Sequence, residues 1–157
     1  TLLTWLQSEE GQWFYRDLLA EESMSNVQEM FDSFEEPLNR LEQIISYLEE
    51  HHARLLFGTD TPSSPSHGNL PGLNGYLEMQ RWHKVGVSLK RILAAATIEN
   101  AKAFYLDDRY GTIEEGKQAN LLLLRENPLT SIKAYDSIEA VVLRGTIHSR
   151  ESLFWNL

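Results

Sequence analysis

Apolar positions recur with a helical period through the first third of the chain. Val27, Met30, Phe31 and Phe34 fall at i, i+3, i+4 and i+7, one face of an α-helix. Ser25 followed by Gln28 has the form of a capping box, so a helix is expected over residues 25–36. Pro37 suits the first turn of a second helix, where its missing N–H costs nothing. Leu38, Leu41, Ile44, Ile45 and Leu48 make that helix, residues 37–50, amphipathic, with Glu42, Glu49 and Glu50 outside. Trp5, Leu6, Trp13, Phe14, Leu18 and Leu19 predict helix over residues 5–20 as well, broken at Gly11.

The period then changes. Leu55-Leu56-Phe57-Gly58-Thr59-Asp60 is an apolar run that stops in a small residue, a hydroxyl and a carboxylate. Strands covered on both faces read as such runs, which predicts a buried strand over 54–59. Asp60 then stands at its carboxyl end, where barrels of parallel strands place their chemistry. Asp-Thr-Pro is also good turn chemistry, so a capping role for Asp60 stays open. Residues 61–75 are Ser-, Pro-, Gly- and Asn-rich and read as a loop. Loops of that length inside a compact domain are usually functional or disordered. His67 is its one side chain that titrates near neutral pH.

Helical spacing returns over 76–86, stopped by Gly86, and over 88–96, opened by Ser88. Thr97, Asn100 and Ala101 begin a further short turn that ends near Leu106. Beyond Asp107 the signals are those of turns and short strands: 120–124, 138–143 and 146–148, with a tight turn at Arg144-Gly145. The front is therefore α with one strand, and the tail is β.

Composition narrows the function. The net charge is −9, with thirteen acids against three bases in residues 1–60 and near balance afterwards. An acidic front disfavours nucleic acid and anionic membrane, which attract clustered Lys and Arg. No stretch approaches the ~20 apolar residues needed to cross a bilayer. The absence of cysteine removes disulfides, thiol catalysis and thiolate metal sites without assigning a compartment. The first residues are not a signal peptide with a basic front, and with no initiator Met the chain reads as a piece of something longer. His51 and His52 close a helix where the dipole favours positive charge, but neighbours on a helix point apart and chelate poorly. His83 and His148 read as ordinary surface or β positions.

Several short motifs, in order, then resemble a known family. Leu56-Phe57-Gly58-Thr59-Asp60, His67-Gly68-Asn69 and Ala95-Ala96-Thr97 with Asn100-Ala101 are similar to the carboxyl end of the amidohydrolase superfamily. Gly111-Thr112-Ile113-Glu114-Glu115-Gly116-Lys117, Asn127-Pro128-Leu129 and Val141-Val142-Leu143-Arg144-Gly145 continue the likeness. The branch it most resembles is that of imidazolonepropionase-like enzymes and metal-dependent dipeptidases. The first 35 residues match nothing in it.

The resemblance implies an α/β fold: the end of a TIM-type (β/α)8 barrel plus part of a small β-sandwich, incomplete in this chain. Residues 1–106 would be the barrel part with its helical front, and 107–157 the sandwich part. Residues 38–50 would be the seventh helix, 54–59 the eighth strand and 76–86 the eighth helix. Asp60 would be the strand-8 aspartate, which touches the metal site and takes a proton from the attacking water. Thr59 and His67 would contact substrate, His67 from the loop above the site. The cofactor implied is a divalent metal, zinc, as one or two ions, and the substrate a small amide, peptide or cyclic amide. Asn120 departs from the family's usual Asp after Gly-Lys-x-Ala, so the turn there could be held differently.

The family's His-x-His pair, bridging Lys and two later His precede strand 8, and the five histidines here do not form them. A full barrel takes about 250 residues. The parent is therefore expected to be a hydrolase and this segment alone inactive, forming a homo-oligomer or strand-exchanged dimer through unpaired edges. The competing reading is a non-catalytic module on the same framework that binds a small molecule or another chain.

Overall fold

The computed structural model describes residues 27–61 and 72–153. The helix expected over 5–20, the Ser25 cap and His67 lie outside the described residues. The chain divides into two units, residues 1–44 with 59–78, and residues 45–58 with 79–157.

Helix α1 runs Val27–Glu50 without interruption, and Pro37 lies inside it. This corrects the expectation of two helices meeting at Pro37. The proline removes one backbone hydrogen bond, which alone would favour a break. Against that, the half-buried Leu38, Ile45 and Leu48 that follow it share one helical face, which an unbroken helix keeps aligned. Its end is fixed by a Schellman pair: His52 N–H donates to Glu49 O at 3.0 Å and Ala53 N–H to Leu48 O at 2.9 Å. His52 takes the left-handed position, φ 53°, that glycine usually fills.

In the first unit, Arg40 and Glu36 pair one helical turn apart at 2.7 Å. Asn74 Nδ2 donates to Thr61 Oγ1 at 3.1 Å, tying the residue after Asp60 to the start of helix α2, Leu73–Lys84.

The second unit holds the core. Leu55, Trp82, Val87, Ile92 and Ala95 are buried together, with Ile45, Leu48, Phe57, Met79, Val85 and Leu89 packed around them. Phe57 meets Trp82 edge-on, ring centroids 5.6 Å apart. The end of α2 repeats the stop of α1, with Gly86 left-handed and Val87 N–H donating to Trp82 O at 3.0 Å. Ser88 then caps α3, Leu89–Ala94, accepting from Arg91 N–H. The expected helix over 88–96 does not end there. It passes into a π turn, Ala95–Glu99, and on into α4, Asn100–Ala103. A third such stop follows, with Tyr105 left-handed and Leu106 N–H donating to Ala101 O at 2.8 Å.

Residues 54–59 are not a strand, contrary to the sequence reading: they pair with no neighbour in a ladder. A strand needs an adjacent extended segment, and none lies beside this one among the described residues. The apolar run buries Leu55 and half-buries Phe57, so the hydrophobic pattern was real while the pairing was not.

The tail forms a three-stranded antiparallel sheet in the order β1-β2-β3: β1 Leu121–Leu124, β2 Ile138–Leu143 and β3 Thr146–Ser149. Leu121 faces Val142, and a bulge between Leu123 and Leu124 brings Leu124 opposite Ile138. Arg144 and Gly145 both have positive φ, as a two-residue hairpin turn matching strand twist requires. Asn120 Oδ1 accepts from Arg144 N–H at 2.8 Å, so its carboxamide holds the hairpin turn. A 3₁₀ turn, Ile132–Ser137, capped by Ser131, precedes β2 and was not foreseen.

Candidate functional site

Three side chains from α3 to α4 hold the segment that leads to Asp60. Arg91 donates to Ala53 O at 2.5 Å and lies 2.9 Å from the Glu49 carboxylate. Glu99 pairs with Arg54 at 3.1 Å and is approached by Lys102 at 3.7 Å. Asn100 makes the closest substitute for a neighbouring strand. Phe57 N–H donates to Asn100 Oδ1 at 3.1 Å, and Asn100 Nδ2 donates back to Phe57 O at 2.7 Å.

The π turn accounts for how a helix presents both Glu99 and Asn100 to this segment. One residue more per turn rotates everything downstream relative to a plain α-helix. Thr97 Oγ1 donates to Leu93 O at 2.6 Å, taking up a carbonyl within the irregular stretch.

Past Phe57 the chain turns. Asp60 is exposed and has φ 49°, a left-handed conformation that Asp tolerates better than most residues. Thr59 is half-buried, and its carbonyl accepts from Thr61 Oγ1 at 3.4 Å. His67, the third residue singled out in the sequence, is outside the described residues.

The described residues bring together no group of three His, Asp, Glu or Cys able to hold a metal. His51 sits against Tyr47, Nδ1 at 2.8 Å from its carbonyl and the rings 4.0 Å apart. His52 is the helix stop, His83 Nδ1 lies 3.3 Å from Val87 O, and His148 is half-buried on β3 opposite Val141. A divalent ion would find in Asp60 one carboxylate ligand, where a catalytic zinc commonly takes three protein ligands.

The second unit also contains an apolar groove of about 770 Å³ between α3, α4 and the sheet, lined by Leu93, Phe104, Leu121, Val141 and Leu143 among others. Tyr135 borders it. Its hydroxyl is buried without a hydrogen-bond partner among the described residues, and burial pushes the phenol pKa up.

Sequence reasoning did not find Arg91, Glu99 or the role of Asn100. A signal existed for Asn100: a poor helix former inside a helical stretch is a residue whose side chain has work elsewhere.

Residues 39–148 match the model of the amidohydrolase family. No curated protein sequence matches the chain. Among solved structures it resembles an Xaa-Pro dipeptidase with methionine bound in its active site, 25% identical, TM-score 0.59, covering 69% of this chain and 25% of that one. It also resembles phenylurea hydrolase B, 27% identical, TM-score 0.59, covering 69% of this chain and 27% of the other. Molinate hydrolase, 23% identical with TM-score 0.61, shares the fold, covering 69% of this chain and 26% of its own. The chain thus spans about a quarter of the length of these proteins. These likenesses imply a TIM-barrel-type α/β fold, of which this chain makes a part.

Proposed function

Because the chain belongs to the amidohydrolase family, we propose that it is the carboxyl-terminal part of a metal-dependent hydrolase that cleaves amide, peptide or cyclic amide C–N bonds. The observation that carries this is an exposed carboxylate, Asp60, within the matched stretch, at the end of a segment held by hydrogen bonds from a packed helix. Residues 38–50, 54–59 and 76–86 then correspond to the last helix, strand and helix of the barrel, and 107–148 to the carboxyl half of a small β-sandwich. In the whole protein the segment 54–59 would gain the ladder partners that it lacks here. The 25% identity to an Xaa-Pro dipeptidase supports the dipeptidase side of the family.

In this reading Asp60 holds the proton removed from the attacking water, and its carboxylate is one donor to the metal site. Thr59 and His67 contact the substrate. A divalent ion, zinc in one or two copies, supplies Lewis acidity when bound. The described residues do not suffice to hold it, so its remaining ligands would have to come from elsewhere in the protein.

The test is made on the full-length protein. Bound metal is quantified, then hydrolysis of a panel of dipeptides, N-aryl amides and cyclic amides is followed before and after chelation. The reading predicts hydrolysis of at least one class, lost on chelation and restored by zinc. A folded, full-length protein that binds these compounds and hydrolyses none of them is instead a non-catalytic module on the same framework.

A further inference from the structure

The two residues that flank Asp60 are joined through one hydroxyl. Thr61 Oγ1 donates to Thr59 O at 3.4 Å and accepts from Asn74 Nδ2 at 3.1 Å. All four residues belong to the first unit. Resting on the reading of Asp60 above, we propose that Asn74 is a positioning residue for Asp60, acting through the Thr61 hydroxyl to hold the turn from which that carboxylate projects.

A hydroxyl has one hydrogen to give and lone pairs to accept with, so Thr61 can serve Thr59 and Asn74 together. Its bond to Thr59 closes a small loop with Asp60 at the apex. Such hydroxyl turns are weak by themselves. The carboxamide adds an anchor from a residue thirteen positions later, in the first turn of helix α2. A group tied to a helix is held more precisely than one on a free loop. Asp60 has φ 49°, and a left-handed residue other than glycine persists where its surroundings impose it. Asp60 is exposed while Thr59, Thr61 and Asn74 are half-buried, so the tie lies beneath the carboxylate's backbone and leaves its side chain towards solvent.

Loss of the tie displaces the carboxylate without removing it, and misplacement of about 1 Å costs on the order of 10²-fold in rate. The experiment uses the full-length protein and the substrate class that it hydrolyses. Asn74→Ala and Thr61→Val should each lower kcat by roughly 10- to 100-fold and change KM far less. Thr61→Ser keeps the hydroxyl and should keep kcat within about threefold of wild type. Asn74→Asp keeps the size and suits a helix start, so it carries the test should the alanine variant not fold. Its carboxylate can only accept, which draws the hydroxyl hydrogen away from Thr59 O, and kcat should fall. In an Asp60→Asn background, Asn74→Ala should lower the residual rate by less than about twofold, because its effect runs through the missing carboxylate. Wild-type kcat in folded Asn74→Ala or Asn74→Asp, with Asp60→Asn inactive, overturns the positioning role alone. So does an undiminished further loss in the Asp60→Asn background. Unaltered turnover in Asp60→Asn itself overturns the reading of Asp60.

Discussion

Gly111 lies against Ile98 so closely that a Cβ on the glycine would stand 2.8 Å from the Ile98 Cα and 2.9 Å from the Ala101 Cβ. Its φ of 95° adds a backbone conformation that side chains resist. The loop that opens the tail is thereby seated on the π turn and on the helix that carries Asn100. Gly111→Ala is expected to destabilise by roughly 1–3 kcal/mol from overpacking, with about 1 kcal/mol more from the left-handed backbone. Urea midpoints measure it; a midpoint unchanged from wild type would show that the turn yields freely.

Tyr135 offers the opposite sign. Its hydroxyl is buried without a partner among the described residues, so Tyr135→Phe should be neutral at pH 7 or stabilising by up to about 1 kcal/mol. Burial raises the phenol pKa in the folded state. Stability from the neutral phenol is therefore fully present below the ordinary phenol value of about 10 and is lost as pH rises through the raised one. Urea midpoints compared at about pH 8 and about pH 11 should fall more for wild type than for Tyr135→Phe.

Most of the elements were legible in the sequence, because hydrophobic period and turn residues act locally. Ser88 capped its helix, Gly86 stopped one, and Arg144-Gly145 made the hairpin. What was not legible depended on partners distant in the chain. The run Leu55 to Phe57 looked like a strand since burial and pairing leave the same apolar signature, and only the structure shows Asn100 in the neighbour's place. Pro37 pointed to a boundary, yet the helix continued through it to Glu50. At the candidate site, Asp60 was singled out from its place after the run, while Arg91 and Glu99, which hold that run at Ala53 and Arg54, carried no local signal.

Glu114 gives a prediction at low pH. A hydrogen bond from Thr112, and then the charge of Lys117, hold its carboxyl below the ordinary range. A lowered folded pKa contributes stability above the unfolded value and loses it as pH falls through the folded one. Thr112→Val and Lys117→Met should each move the Glu114 titration, followed by carboxyl NMR shifts, up towards the ordinary range. A titration unmoved by Thr112→Val would show that the hydrogen bond does not hold the carboxyl down.

The 157-residue chain by itself should associate. Strands β1 and β3 are the edges of the sheet, and Leu122, Leu143 and Ile147 are 52%, 50% and 67% exposed. Open apolar edges invite pairing with another copy. Light scattering on the isolated chain should report an oligomer or a strand-exchanged dimer, without hydrolase activity. A stable monomer at micromolar concentration would count against edge pairing.

The role of Asp60 is tested most directly by turnover of full-length Asp60→Asn. Removing a general base typically costs about 10²–10⁴ in rate, and the substitution keeps the size and the left-handed tolerance of the residue. The account predicts a folded variant, with wild-type circular dichroism and thermal midpoint, whose kcat falls by that factor. A folded Asp60→Asn variant with wild-type kcat would contradict it.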